Sequence, residues 1–363
     1  MGKSLFEETV NNRIHILEEL LCTSKNILEW DIILEDLDNL KSILGPEEHI
    51  KHTLLENFEL NANSLKKFKF LWNSFRSFQN QTNTKIPNIP AVKNIDIPNS
   101  AIFQLTHDFY KQLDNEYFNI FLSFYNDKDS NVLIQPLNKN HSVKGTNYYI
   151  ETFNENFCVI NKTSTVDDVL TSIHEFAHGT SALLNPYHTA TNKFIYGEVD
   201  SIFMELVATD YLKNIFKDNS SIANKLAKHN SYCAICDDII DKITLTKKIN
   251  IQDITEEKFK LIARKKILLN EKELKNLLQS SAEEEISYLL SYMIAIQFYN
   301  LYIKDPEKSM CLLKKFILVN QSNEYDYYNY LLSQGIYPTK GIKSYHNNIK
   351  SEALILTRKP NNL

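Results

Sequence analysis

Apolar residues recur near the helical period through most of this 363-residue chain. At the N-terminus, Leu5, Phe6, Val10, Ile14, Leu17, Leu20 and Leu21 fall three or four positions apart, the signature of one buried helix face. A second such run covers Ile27 to Leu44 and stops near Gly45-Pro46, and a third spans roughly residues 48–79. Residues 80–100 then carry three Ile-Pro pairs among several Asn. Proline removes a backbone donor and pushes its predecessor toward extended geometry, so this stretch reads as a linker or an extended crossing. Residues 101–125 return to the helical period.

The pattern changes over residues 131–160. The runs NVLIQPL, TNYYIETF and NFCVI are short, rich in β-branched and aromatic residues, and split by polar turns, which predicts a small sheet. From Thr165 to about Leu332 the helical period dominates again. The expected fold is mainly α, with a small β-sheet beside one particular helix. The expected division is an N-terminal helical region over 1–100 and a catalytic domain over 101–363.

Composition narrows the picture. Seven Gly and nine Pro are too few for a turn-dense all-β fold. A net charge of −5 argues against a nucleic-acid partner. The five cysteines, Cys22, Cys158, Cys233, Cys236 and Cys311, are sparse and odd in number, which does not make a disulfide framework. Cys233 and Cys236 form a lone CxxC that reads as two small residues along a helix face rather than a metal or redox pair. The charged N-terminus lacks an apolar signal-peptide core, and no stretch is long and apolar enough to span a bilayer. A cytoplasmic protein without a membrane partner is expected.

The candidate chemistry lies in TVDDVLTSIHEFAHGTSALL. His174-Glu175-Phe176-Ala177-His178 is an HExxH motif. On a helix, positions four apart share a face, so the two imidazoles can converge on one zinc ion. Glu175 points to a neighbouring direction and is placed to take a proton from water rather than to ligate. Thr165 can cap this helix, and Asp167 and Asp168 suit its positive end. A third ligand is needed. The next helical run, GEVDSIFMELVATDYLKNIF, offers Glu198, Glu205 and Asp210. Glu205 is flanked by Phe203, Met204, Leu206 and Val207, where a carboxylate is costly unless paired or metal-bound. Glu198 and Asp210 lie near the helix ends and are more easily solvated. The expected site is one zinc per chain on His174, His178 and Glu205, with Glu175 as general base.

HEFAHG followed by YGEVDSIFMELVAT resembles the oligoendopeptidase F and thimet oligopeptidase family of zinc metallopeptidases. The resemblance covers roughly residues 130–340 and implies a helical zinc-metallopeptidase fold. It again points to Glu205 as the third ligand. Lys144–Tyr148 resembles the family segment that aligns substrate backbone, which implies substrate contacts at Gly145 and Tyr148. Tyr288-Leu289-Leu290-Ser291-Tyr292 resembles the family's aromatic segment. It implies Tyr292 as an oxyanion donor and Tyr288 as a substrate contact. The chain departs from the family in its shorter N-terminal part and in having no His between His229 and His346. The implied activity is hydrolysis of short or unfolded peptides. The alternatives are a zinc-binding homologue with weak or no turnover that binds or regulates peptides, and a processing peptidase dedicated to one partner peptide.

Overall fold

The computed structural model describes residues 2–24, 26–45, 95–125, 127–137, 143–185, 197–230, 282–318 and 324–337, and short C-terminal stretches that include Tyr345. The expected helix over 48–79, most of the Ile-Pro stretch and the Cys233/Cys236 pair lie outside these residues.

The chain opens with α1 (Gly2–Thr23) and α2 (Ile27–Leu44). Phe6, Val10, Leu17, Ile33, Leu37 and Leu40 are buried, as the apolar spacing requires. Residues 101–125 form two helices where the periodicity alone predicts one: α3 (Asn99–Leu113) and α4 (Asn115–Tyr125). Asp114 causes the break. Its Oδ1 accepts the backbone N–H groups of Glu116 and Tyr117, so it caps α4 instead of continuing α3. Lys314 then pairs with Asp114 at 2.9 Å and with Glu116 at 2.7 Å.

A short helix, α5 (Lys128–Asn131), leads into β1 (Val132–Pro136), β2 (Gly145–Ile150) and β3 (Glu155–Lys162). These form the expected small sheet, in the order β1-β3-β2. β1 runs parallel to β3, in register Val132 opposite Cys158, and β2 runs antiparallel to it, with Gly145 opposite Ile160. Asn154 closes the β2–β3 turn at φ 49°, a conformation Asn tolerates well. Pro136 sits on an edge strand, where its missing donor breaks no ladder in the described sheet.

Beyond β3 come α6 (Asp167–Leu184), α7 (Val199–Ile215), α8 (Ser220–Asn230), α9 (Ala282–Tyr302), α10 (Pro306–Leu318) and α11 (Glu324–Ser333). Side chains alternate across a strand, and the sheet uses both faces. Leu133, Phe157, Val159 and Ile150 pack against α1 and α2. Val132, Cys158 and Ile160 join the larger core with α3, α4, α6, α7, α9 and α10. Two polar ties fix the first layer: Arg13 forks onto Glu155 at 2.6 and 2.8 Å, and Asp36 accepts the N–H groups of Glu151 and Thr152.

α6 is held centrally. Phe176 lies 4.3 Å from the Tyr125 ring and 5.2 Å from Phe121, centroid to centroid. Burial of such a side chain contributes about 1.5–3 kcal/mol. Thr106 donates to Ser172, and the buried Tyr110 hydroxyl donates to the Ile173 carbonyl. Gly179 is required by close approach, since a β-carbon there would lie 2.2 Å from Asn156 Nδ2. α7 is buried on nearly every side, wedged between α6 and α9. Among the described residues no helix is long and apolar enough to cross a membrane.

Candidate metal centre and active site

The strand β3 hands directly into α6. Ser164 takes the left-handed region at φ 59°. The Asp168 carboxylate reaches back to the Thr163 N–H, the Thr163 hydroxyl and the Thr165 N–H. The Thr165 hydroxyl accepts the Asp167 N–H. Four hydrogen bonds thus fix where the helix starts, and so where the HExxH turn falls relative to the sheet.

On that turn His174 and His178 share a face, with their Nε2 atoms 3.1 Å apart. Glu198, at the start of α7, adds its Oε2 at 3.1 Å from the first Nε2 and 3.4 Å from the second. Tetrahedral zinc with bonds of about 2.0–2.1 Å sets its ligand atoms ~3.3 Å apart. Two imidazole nitrogens and one carboxylate oxygen at these separations therefore suit a zinc ion, in both donor type and spacing.

Glu205 occupies a different place from the one its apolar flanks point to. Its Oε1 accepts from Nδ1 of His174 at 2.6 Å, on the other side of the imidazole from Nε2. Its Oε2 accepts from Nε2 of His229 at 2.8 Å. The buried carboxylate is indeed paired, but with two histidines rather than as the third member of the ligand cluster. Burial alone would push its carboxyl up, but the hydrogen bonds from His174 and His229 outweigh that and hold it at about 2. The Nδ1–H bond also fixes the His174 tautomer, leaving the Nε2 lone pair free to ligate. Glu198 and Glu205 are seven residues apart, about two helical turns, so one face of α7 presents both carboxylates to α6. That spacing was the available signal for Glu198. Its position at a helix end misleads, because α6 and α9 cover that end and leave the side chain 19% exposed.

Glu175 is buried beside this cluster. Burial raises its carboxyl above the ordinary range, and the neighbouring His174 and His178 pull it back in part. The start of β2 lies directly on it: a β-carbon on Gly145 would stand 2.7 Å from Glu175 Oε1. Gly145 is thus brought to the site. Tyr148 is not. Gly145, Asn147 and Tyr149 face the α6 side of the sheet, whereas Tyr148 and Ile150 face α1 and α2. The alternation of side chains along a strand makes that separation unavoidable.

The two tyrosines of α9 also exchange places. Tyr288 sits at the rim, 40% exposed, with its phenol near enough to the Glu198 carboxylate to feel its charge. The charge on Glu198 is the chief reason its phenol is held well above the ordinary value, with burial and Glu175 adding to it. Tyr292, one turn further on, is 6% exposed and packs edge-on against Tyr345 at 6.3 Å. The residue expected to donate to an oxyanion thus lies in the core, and the residue expected only to contact substrate reaches the cluster. His229, which has no motif context in the sequence, meets the site only because α8 folds back across α6 and α7.

No protein-family model and no curated protein matches the sequence. Solved structures do. PZ peptidase A, solved with an inhibitor, superposes with a TM-score of 0.58 at 14% identity, over 98% of this chain and 65% of that one. A chain from Bacillus anthracis str. Ames assigned as an oligoendopeptidase F gives 0.55 at 15% identity, over 93% and 65%. A chain from Chlamydophila abortus assigned as a peptidase gives 0.52 at 12% identity, over 98% and 62%. The fold is that of the helical peptidases. Within that class it is of the oligoendopeptidase F type. The chain spans about two thirds of the length of these structures.

Proposed function

We propose that this chain is a zinc-dependent peptidase that hydrolyses short or unfolded peptides, with His174, His178 and Glu198 as the metal ligands. The observation that carries the reading is the set of three donor atoms 3.1–3.4 Å apart with a buried carboxylate, Glu175, on the same helical turn. When bound there, zinc supplies positive charge that polarises a scissile carbonyl and eases proton loss from water.

The chain's own groups do the rest. Glu175 accepts the proton of the attacking water, whose oxygen bonds to the carbonyl carbon. It then delivers that proton to the amine nitrogen as the C–N bond breaks. Its raised pKa suits this exchange, because it must hold the proton between the two events. Tyr288 donates its hydroxyl toward the charge that develops on the carbonyl oxygen. Glu205 keeps His174 in the ligating tautomer. The outer edge of β2 is unpaired within the described sheet and starts at Glu175. It can take an extended peptide by strand addition, which reads backbone rather than sequence and suits a broad peptide substrate.

The test combines metal analysis with turnover of a mixed quenched-peptide library by the parent chain and by Glu175→Gln. Stoichiometric zinc with cleavage that the variant loses supports the reading. Zinc without cleavage would move the function to peptide binding, and absence of zinc would sink the proposal.

A further inference from the structure

We propose that His229 is a positioning residue of this centre, holding Glu205 in the orientation that keeps Nε2 of His174 turned toward His178 and Glu198. The inference rests on the zinc-peptidase reading above and adds to it a residue outside the motif. Glu205 is 6% exposed. Its two oxygens point in different directions, one to His174 at 2.6 Å and one to His229 at 2.8 Å. A carboxylate held from one side only can rotate, and the His174 ring would rotate with it. A donor on the second oxygen removes that freedom.

On its other side His229 faces the start of α6, at ion-pair rather than hydrogen-bond distance. Its Nδ1 lies 3.8 Å from Oδ1 of Asp167, and Oδ2 of Asp167 pairs with Lys225 Nζ at 3.0 Å. Lys225 precedes His229 by one turn on α8, so both side chains reach the same carboxylate. Asp167 is the first residue of α6, the helix that carries His174. The sequence of contacts from Asp167 through His229 and Glu205 to His174 therefore leaves α6, crosses α8 and α7, and returns to α6 two turns later. The side chains of Asp167, His229 and Glu205 are only 11%, 17% and 7% exposed, so solvent screens these contacts weakly. Partners of a ligating histidine set the orientation and basicity of the ligand. Here that role is extended by one residue. A plain structural tie between α8 and α7 would use the same contacts but would leave metal affinity alone.

Two polar variants separate the cases. In His229→Gln the amide nitrogen stands near the position of Nε2 and can still donate to Glu205. In His229→Asn it mimics Nδ1 and falls short of Glu205. The measurements are zinc dissociation constants by chelator competition, the visible spectrum of the cobalt(II) form, and melting of the metal-free proteins. His229→Asn is expected to bind zinc about 10–100-fold more weakly than the parent and to shift the cobalt spectrum, with His229→Gln recovering most of the affinity. Equal zinc affinities in the two variants, whether near the parent or below it, overturn the inference while leaving the zinc reading intact. Lowered metal-free melting in both, without separation of their affinities, assigns His229 to a structural tie and overturns it too. A parent chain that binds no zinc removes the zinc reading and this inference together.

Discussion

Gly145 and Glu175 touch so closely that no side chain fits between them. A β-carbon on Gly145 would lie 2.6 Å from Glu175 Cγ and 2.7 Å from both Glu175 Oε1 and Thr171 Cγ2. The edge strand offered to substrate and the proposed base are therefore placed by one contact. Gly145→Ala must displace Glu175, Thr171 or the strand. A misplacement of about 1 Å at a reacting group can cost ~10²-fold, so kcat/KM should fall by roughly that amount. Zinc content should stay at the parent level, because Gly145 lies on Glu175 and not on the ligand atoms. Metal analysis beside steady-state kinetics checks this, and unchanged kinetics would mean that β2 yields and the base does not.

Glu175→Gln keeps the volume of the side chain but cannot accept a proton at neutral pH. General-base terms are worth about 10²–10⁴-fold, and the loss in kcat should fall in that range. The variant should bind zinc and melt no lower than the parent, since an uncharged amide removes the burial cost of the carboxylate. Near-parental turnover would place the base elsewhere.

The fold class was legible because its signals are local. The helical period marks α1 and α2, and the change to short β-branched runs marks β1, β2 and β3 with little error. HExxH is local as well, since one helical turn decides that His174 and His178 face together. What escaped depends on how elements pack. Apolar neighbours show that Glu205 is buried, but not which atoms it meets, here Nδ1 of His174 and Nε2 of His229. The exposed end of an isolated helix suggested a solvated Glu198, whereas α6 and α9 cover it. The side that Tyr148 faces turns on parity, since one position along a strand decides between two layers. His229 had no signal at all, because its partner lies on another helix.

Glu198 and Glu205 should separate on metal binding. Glu198→Ala removes a donor atom, so zinc retention after dialysis against a mild chelator should collapse. Glu205→Gln keeps a hydrogen-bond acceptor for Nδ1–H of His174 but loses its charge, and zinc affinity should weaken by about 10–100-fold without vanishing. Chelator competition on both variants reads the order. The reverse order, with Glu205→Gln losing zinc and Glu198→Ala keeping it, would return Glu205 to the ligand set.

Tyr288 and Tyr292 give the sharpest contrast, because they sit one turn apart on α9 and differ in surroundings rather than chemistry. Tyr288→Phe removes a hydroxyl near Glu198 from a 40% exposed rim position. Little packing is lost there, so stability should hardly change. If that hydroxyl turns from Glu198 to the developing oxyanion when substrate binds, kcat should drop by about 10²–10³-fold with KM nearly unchanged. Tyr292→Phe removes a hydroxyl from a 6% exposed core residue packed on Tyr345. Removing a polar group from a buried site costs about 1–3 kcal/mol where it leaves a partner unsatisfied, so the effect should be on the melting temperature while kcat stays within a few-fold. Kinetics and thermal melts of the pair decide the assignment. A kcat loss confined to Tyr292→Phe would require α9 to rotate on binding substrate, bringing the second tyrosine to the cluster in place of the first.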